Sequence, residues 1–385
     1  MAAIVPQAWR LRSRSPARKG GVQPVSTREL NRWTLARQHL LDRVVLGPAT
    51  AVEHLAGMQA QNPSAPYIGL WSRLVGFGVA DLEDALWSRS VVKTTVMRGT
   101  LHLVAASRLA AFRQATGSGY YDGTLRLLDG LCVDLHAIRG RVADQVGERS
   151  RSRTEVFRLV AEQVPEPHPA WLTDRPSAIA ALSVTTDLVN APTDALFGTV
   201  GKSRYEVLRT PPADPAAAAR QVASDYLAAY GPATPADLAS WSGRPARDFA
   251  QALAGLDLVR FRAEDGRTLV DLADSPQPDA DTPAPVRFLP VWDSLLLAHA
   301  RRERMLTDDH RRLVIAKNGD VAPTFLVDGF VAGTWSVAPR AAPAGMTLRS
   351  LVRLTAPQKR AVAAEGRLLL AWVRADGGGA PVTWA

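Results

Sequence analysis

Residues 234–272 read TPADLASWSGRPARDFAQALAGLDLVRFRAEDGRTLVDL, and this stretch sets the expectation for the whole fold. Thr234 and Pro235 open one short helix, Gly243 closes it, and Pro245 starts a second. Proline just inside a helix start and glycine just past a helix end is the asymmetry that helix termini favour. Next, LVRFRA alternates as a strand, Asp265-Gly266 supplies a tight turn, and TLVDL returns. A helix-turn-helix that runs straight into a hairpin is a winged-helix unit.

The same order occurs twice upstream. STRELNRWTLARQHLLDRVV (26–45) has Ser26 and Glu29 spaced as a capping box, with apolar residues at 30, 33, 40, 41 and 44. A second helix is predicted over 49–58, and KTTVMRGTLHLVAA reads as two β-rich stretches meeting at Arg98-Gly99. Further on, TEVFRLVAEQV and SAIAALSVTTDLVNA are helical, and ALFGTVGKSRYEVLR reads as a hairpin with Gly201-Lys202-Ser203 at its tip. DSPQPDADTPAP (274–285) is a linker by composition, and the remainder is strand-rich with one clear helix, TAPQKRAVAAEGRLLL. The expected fold class is α+β. Three tandem winged helices occupy 25–150, 151–212 and 213–273, and a C-terminal β-rich domain occupies 286–385.

With 385 residues, 46% of them apolar, there is material for several buried cores. No apolar run approaches the roughly 18 residues of a membrane span, and no signal peptide is visible, so the expected location is cytoplasmic and the membrane is excluded as a partner. The single cysteine, Cys132, rules out an internal disulfide framework and CxxC metal sites. The chain carries +9 and its first 24 residues +5, so the other 361 carry +4. Residues 1–24 are expected to be a disordered basic tail on a mildly basic body. Of the 46 basic residues 41 are arginine, a skew that genome composition explains as well as phosphate recognition does.

Catalytic signatures of the common kinds are missing. FGTVGKSRY lacks the first glycine of a P-loop, because position 196 is Leu. GFGVAD and GSGYYDG miss the dinucleotide-binding spacing, and there is no HExxH or GxSxG. The chemistry expected is therefore free of metal, nucleotide and covalent serine or cysteine. Tandem helix-turn-helix units with basic hairpins suit DNA, since a helix can enter a groove while a hairpin lays cations along phosphates. The same units also serve as protein-interaction scaffolds.

One unexplained stretch is LAGMQAQNPSAP (55–66), which places Gln59 and Gln61 where a helix has to stop. Residues i and i+2 diverge on a helix, and Pro63 disfavours the α conformation at Asn62. The expectation is that the 49–58 helix frays near Gln59, letting both amides project into one space.

LxxMQAQNPxAPYxGLWSR, then VVKTTVMRGTLHLVAA, and much later FLPVWDSLLLAHARRERM with FLVDGFVAGTW, resemble the winged-helix DNA glycosylases of the AlkZ and YcaQ type over residues 26–373. The resemblance implies a C-shaped molecule that embraces DNA, excises N7-alkylated purines and unhooks interstrand crosslinks attached at guanine N7. It implies a catalytic motif at Gln59-Ala60-Gln61. The Gln-ending form is similar to the AlkZ branch, associated with self-resistance in makers of DNA-alkylating antibiotics. Ala60 is smaller than the family's usual aliphatic residue at that position.

The implied partner is double-stranded DNA carrying alkylated or crosslinked guanine, bound by a monomer without cofactor. Candidate DNA contacts are Lys93 and Arg98 flanking the first hairpin turn, Lys202 and Arg204 near the second, and His299, Arg301 and Arg302 in the HARRER stretch. Asp293 reads as structural. The five lysines leave little to form a Schiff base with an abasic product, so a monofunctional glycosylase is expected. The competing readings are a non-catalytic winged-helix regulator and a protein-interaction scaffold.

Overall fold

The computed structural model describes residues 21–117, 135–147, 149–162, 187–193, 197, 203–337, 345–374 and 380–385. In chain order the elements begin with β1 (Val22–Val25), α1 (Thr27–Arg37), α2 (Pro48–His54), β2 (Met58–Gln59), α3 (Ala65–Trp71), α4 (Val79–Trp87), β3 (Val91–Thr95), β4 (Leu101–Ala105) and α5 (Leu109–Thr116). Next are α6 (Leu135–Val146), β5 (Arg151–Ser152), α7 (Arg153–Ala161), β6 (Leu188–Asn190) and β7 (Arg204–Val207). The stretch that opened the sequence reading holds α9 (Pro235–Ser242), α10 (Ala250–Ala254), β8 (Leu258–Ala263) and β9 (Thr268–Leu272), preceded by α8 (Pro215–Tyr230). Last come β10 (Arg287–Leu289), α11 (Ser294–Leu297), α12 (Asp308–Val314), β11 (Thr324–Val327), β12 (Phe330–Val337), β13 (Met346–Ser350), α13 (Ala356–Val373) and β14 (Val382–Trp384). The class is mixed α+β, and no helix among the described residues is long and apolar enough to cross a membrane.

Helix α1 is the hub. Its capping box forms as the sequence reads: the Ser26 hydroxyl accepts from Glu29 N at 3.2 Å, and the Glu29 carboxylate accepts from Ser26 N at 2.8 Å. The helix is buried nearly all round, polar residues included. Leu30 and Trp33 pack against Val259, Phe261 and Leu269, while Leu35 joins Leu289, Leu296 and Leu326 of the C-terminal part. Its polar side chains are satisfied from far along the chain. Arg37 forks onto Asp271 at 2.8 and 2.6 Å, and Asn31 donates to the carbonyls of Arg304 and Gly329 at 2.7 and 2.8 Å. The 328–329 turn approaches so closely that a Cβ on Gly329 would lie 2.4 Å from Asn31 Oδ1, and its φ of +83° also asks for glycine.

Three expectations change. The basic tail ends sooner than position 24, because Val22–Val25 forms β1, parallel to β8. The proline-rich 274–285 segment is strapped across α1 and is no free tether. Arg32 Nε donates to Thr282 O at 2.7 Å, Arg28 Nε to Ala280 O at 3.0 Å, and Trp33 Nε1 to Pro278 O at 3.0 Å. Its composition marks irregular backbone, which is different from freedom. Finally, the first two hairpins share one sheet of order β2-β4-β3-β6-β7-β5, joined where Lys93 faces Asn190. Joining the hairpins satisfies strand edges that separate hairpins would leave open. The strand paired with β7 is β6, upstream of the segment expected, and the tip at Gly201-Lys202 lies outside the described residues.

Packing then ties the regions together. The hairpin turn residues Val96 and Met97 enter a core with Val222, Tyr226 and Trp241 from α8 and α9. The opposite face of the first hairpin buries Leu103 with Val52, Leu55 and Met58. The C-terminal sheet, β10 to β14, is covered by α13 through Val362, Leu369 and Leu370, and Ile68 of α3 reaches into that core.

Candidate active site

The helix predicted over 49–58 stops at His54, four residues early. Ala56 (φ 53°) and Gly57 (φ 89°) then turn the chain through the left-handed region. Space also demands glycine there, since a Cβ on Gly57 would lie 3.1 Å from Leu103 O. The turn delivers Met58 and Gln59 to the edge of β4, opposite Leu103 and His102, and Ala60 N continues the ladder to Leu101 O at 2.7 Å. So the expected frayed helix end is corrected to a strand. The strand ends at Gln59, but the Ala60 bond keeps the chain extended one residue further, and Gln61, two residues on, comes out on the side of Gln59. Asn62 Oδ1 then accepts from Ser64 N at 2.9 Å, an Asx turn that starts α3.

The two amides touch. Gln59 Nε2 donates to Gln61 Oε1 at 2.6 Å, and Arg98 Nη2 donates to Gln59 Oε1 at 2.9 Å. Gln59 is buried and Gln61 exposed. Arg98 sits in the β3–β4 turn with φ 54°. Its Nη1 arm donates to the carbonyl of Trp241, in the last turn of α9. Gly243, just past that helix at φ +77°, lies so close that a Cβ would stand 2.8 Å from Arg98 Cα.

His102 completes the cluster. Its Nδ1 lies 2.9 Å from Thr100 O and its Nε2 lies 3.4 Å from Arg98 Nη2. A carbonyl only accepts, so Nδ1 carries the hydrogen and Nε2 faces the guanidinium as an acceptor. Burial, and then the Arg98 charge, lower the His102 pKa to about 3, so the ring is neutral. Burial lowers Arg98 to about 10, leaving it a cation at neutral pH. Every carbonyl in the amide chain points back toward Arg98. What faces outward is the Gln61 NH₂ group and the unused acceptor capacity of Gln61 Oε1.

The other sequence candidates fall elsewhere. Lys93 shares its sheet row with Leu103 and Met58, the face opposite Gln59, His102 and Thr94, and burial lowers its pKa. Lys202 lies outside the described residues. Arg204 is exposed and donates to Ser150 Oγ at 2.9 Å and Ser150 O at 2.5 Å. Arg301 is exposed and paired with Glu303 at 2.7 Å, and Arg302 Nε donates to Leu296 O at 2.8 Å. His299 corrects its expected role as a phosphate or lesion contact. It is 2% exposed, donates from Nε2 to Tyr230 O at 3.0 Å, and burial lowers it to about 3. It is a neutral tie inside the protein. Asp293, read as structural, forks onto buried Arg73 at 3.0 and 2.9 Å.

His102 and Trp241 were missed. A signal for His102 was present, since it stands four residues after Arg98 across a two-strand turn. Trp241 is 143 residues from Arg98, and no local pattern could join them.

With the geometry in hand, comparison places the chain among known proteins. The family model described as DNA glycosylase AlkZ-like matches residues 52–372. The chain belongs to the AlkZ-like DNA glycosylase family. Within this family, an interstrand DNA cross-link repair glycosylase of Streptomyces sahachiroi is 25% identical over 330 residues, covering 81% of this chain and 88% of the relative. The solved structure of Streptomyces sahachiroi DNA glycosylase AlkZ matches with a TM-score of 0.76 at 21% identity, covering 94% of this chain and 100% of that one. The AlkZ-like chain is thus an enzyme of the DNA glycosylase class, on the α+β fold that the sequence predicts.

Proposed function

We propose that this glycosylase is monofunctional, excises N7-alkylated purines and unhooks crosslinks joined through guanine N7. The observation that carries the reading is the Arg98–Gln59–Gln61 chain, whose hydrogen-bond partners among the described residues include no carboxylate.

Glycosidic hydrolysis ordinarily uses a pair of carboxylates, one of which protonates the leaving group. An N7-alkylguanine already carries positive charge and departs as a neutral base, so that proton is not needed. What remains is to hold a water at C1′ as the sugar becomes oxocarbenium-like. Gln61 Oε1 can accept from that water and aim its oxygen, and the proton passes to solvent after the bond forms. An amide cannot act as a general base at neutral pH, but orientation and fixed dipoles alone lower such barriers by several kcal/mol. A neutral base, lacking the built-in leaving-group activation, is then a poor substrate.

A guanine tied to the opposite strand cannot swing into a closed pocket as flipped bases do. The exposed position of Gln61 suits a reaction at an open surface. The name of the Streptomyces relative, a cross-link repair glycosylase, supports the same reading.

The test is single-turnover base release from duplex containing 7-methylguanine, beside duplex containing uracil. Release of 7-methylguanine without strand nicking is expected, with Gln59→Ala and Gln61→Ala each slower by about 10²–10³-fold, the usual cost of removing one oriented polar group. Equal release of uracil, or wild-type rates in both variants, would sink the reading.

A further inference from the structure

We infer that Arg98 is a positioning residue of the glycosylase site: it fixes which way the Gln59 amide faces and, through Gln59, the orientation of Gln61. This rests on the catalytic reading of the two glutamines and deepens it.

A glutamine amide has two orientations of nearly the same shape, with its oxygen and nitrogen exchanged. Arg98 removes that choice. A guanidinium only donates, so the oxygen of Gln59 must face it. The Gln59 NH₂ is thereby turned on Gln61, where only the carbonyl can accept. The direction of the whole chain follows from one cation at its inner end, and a low-dielectric setting strengthens each bond in sequence. Flipping Gln59 would set NH₂ against guanidinium and carbonyl against carbonyl.

Arg98 is itself held at three points. Gln59 comes from β2, His102 Nε2 from β4, and the Trp241 carbonyl from α9. The neutral tautomer of His102 matters here, because an Nε2–H would repel the same arm. Gly243 lets α9 come close enough to take the Nη1 arm. A lysine has one compact ammonium in place of a planar fork and cannot hold these acceptors together.

A phosphate contact is the competing role, and kinetics separate the two. First, wild-type release of 7-methylguanine and its loss in Gln61→Ala establish the catalytic reading itself; failure there rejects that reading. With it established, Arg98→Lys is measured for single-turnover rate at saturating enzyme, and for DNA affinity across a salt series. A positioning role gives a rate about 10–100-fold lower, as for a small misplacement of a catalytic group. Affinity stays within about twofold and the salt dependence is unchanged. In a Gln59→Ala background the same change costs nothing further, because Arg98 acts through Gln59. A wild-type rate, additive losses, or an affinity more than about tenfold weaker would each overturn the inference, the last by making Arg98 a direct DNA contact.

Gln59→Glu keeps the test decisive if Arg98→Lys fails to fold. A carboxylate still accepts from Arg98 but cannot donate to Gln61. Loss of rate comparable to Gln59→Ala supports the directed chain, and full activity overturns it.

Discussion

Arg73 and Arg98 are both held by several partners, and those partners differ in kind. Arg73 is 2% exposed and forks onto Asp293, with Gln38 Oε1 at 3.3 Å from the same guanidinium. Arg98 is gripped by an amide oxygen, a neutral imidazole and a backbone carbonyl. The first arrangement cancels its charge and joins α3 to the segment before α11. The second leaves a cation uncancelled beside two glutamines. Arginine thus does two jobs in one chain, and the partner decides which: carboxylates make ties, neutral acceptors make a directed polar site.

The comparison breaks most readily at the tie. Asp293→Ala strands a buried guanidinium and is expected to cost about 3–5 kcal/mol, read as a lower denaturant midpoint with unchanged slope. A much smaller loss would mean that Arg73 finds water or another acceptor.

Acid sharpens it next. His102 beside Arg98 and His299 beside Arg304 are both lowered to about 3 by burial, against 6.5 for a free imidazole. Below pH 6.5 the unfolded chain therefore binds more protons than the folded one. Stability from these two groups is complete above that pH and is lost as pH falls toward 3, by roughly 3 kcal/mol per pH unit for both together. Melting temperature should drop between pH 7 and pH 5. His39 is lowered by burial too, to about 4, so His299→Asn should flatten the drop by about a third, and an unchanged profile in that variant would contradict the placement of His299.

Gly243→Ala tests the neutral site alone. Its left-handed φ and the 2.8 Å approach to Arg98 Cα both oppose a methyl group. The expected cost is about 1–3 kcal/mol of stability, with a fall in excision rate that Asp293→Ala, assayed while folded, does not share. The smallest effect is expected at Arg301, exposed and paired with Glu303 and Asp265. Arg301→Ala should shift stability by less than about 0.5 kcal/mol.

Much of the local structure was legible. The capping box at Ser26, the helix start at Pro235 and the Asp265-Gly266 turn each depend on a few neighbouring residues, and each appears where the sequence puts it. The glutamines were legible as a pair, but the reason for their spacing was misread. Helix α2 is too short for a 3.6-residue period to reject its continuation, and the strand that replaces it is defined by pairing with β4, 43 residues further on. The linker misled for a related cause, since proline and aspartate report irregular backbone and say nothing of what lies beneath.

By itself the sequence determined most helix starts, the capping box at Ser26 and the tight turn at Asp265-Gly266. Those follow from short-range sterics and hydrogen bonding, which neighbouring residues settle between themselves. Only the tertiary structure decided that Arg98 turns inward onto Gln59, that His299 is internal, and that α1 lies at the centre. Each of these depends on contacts between residues far apart in the chain, made when separate apolar faces share one core.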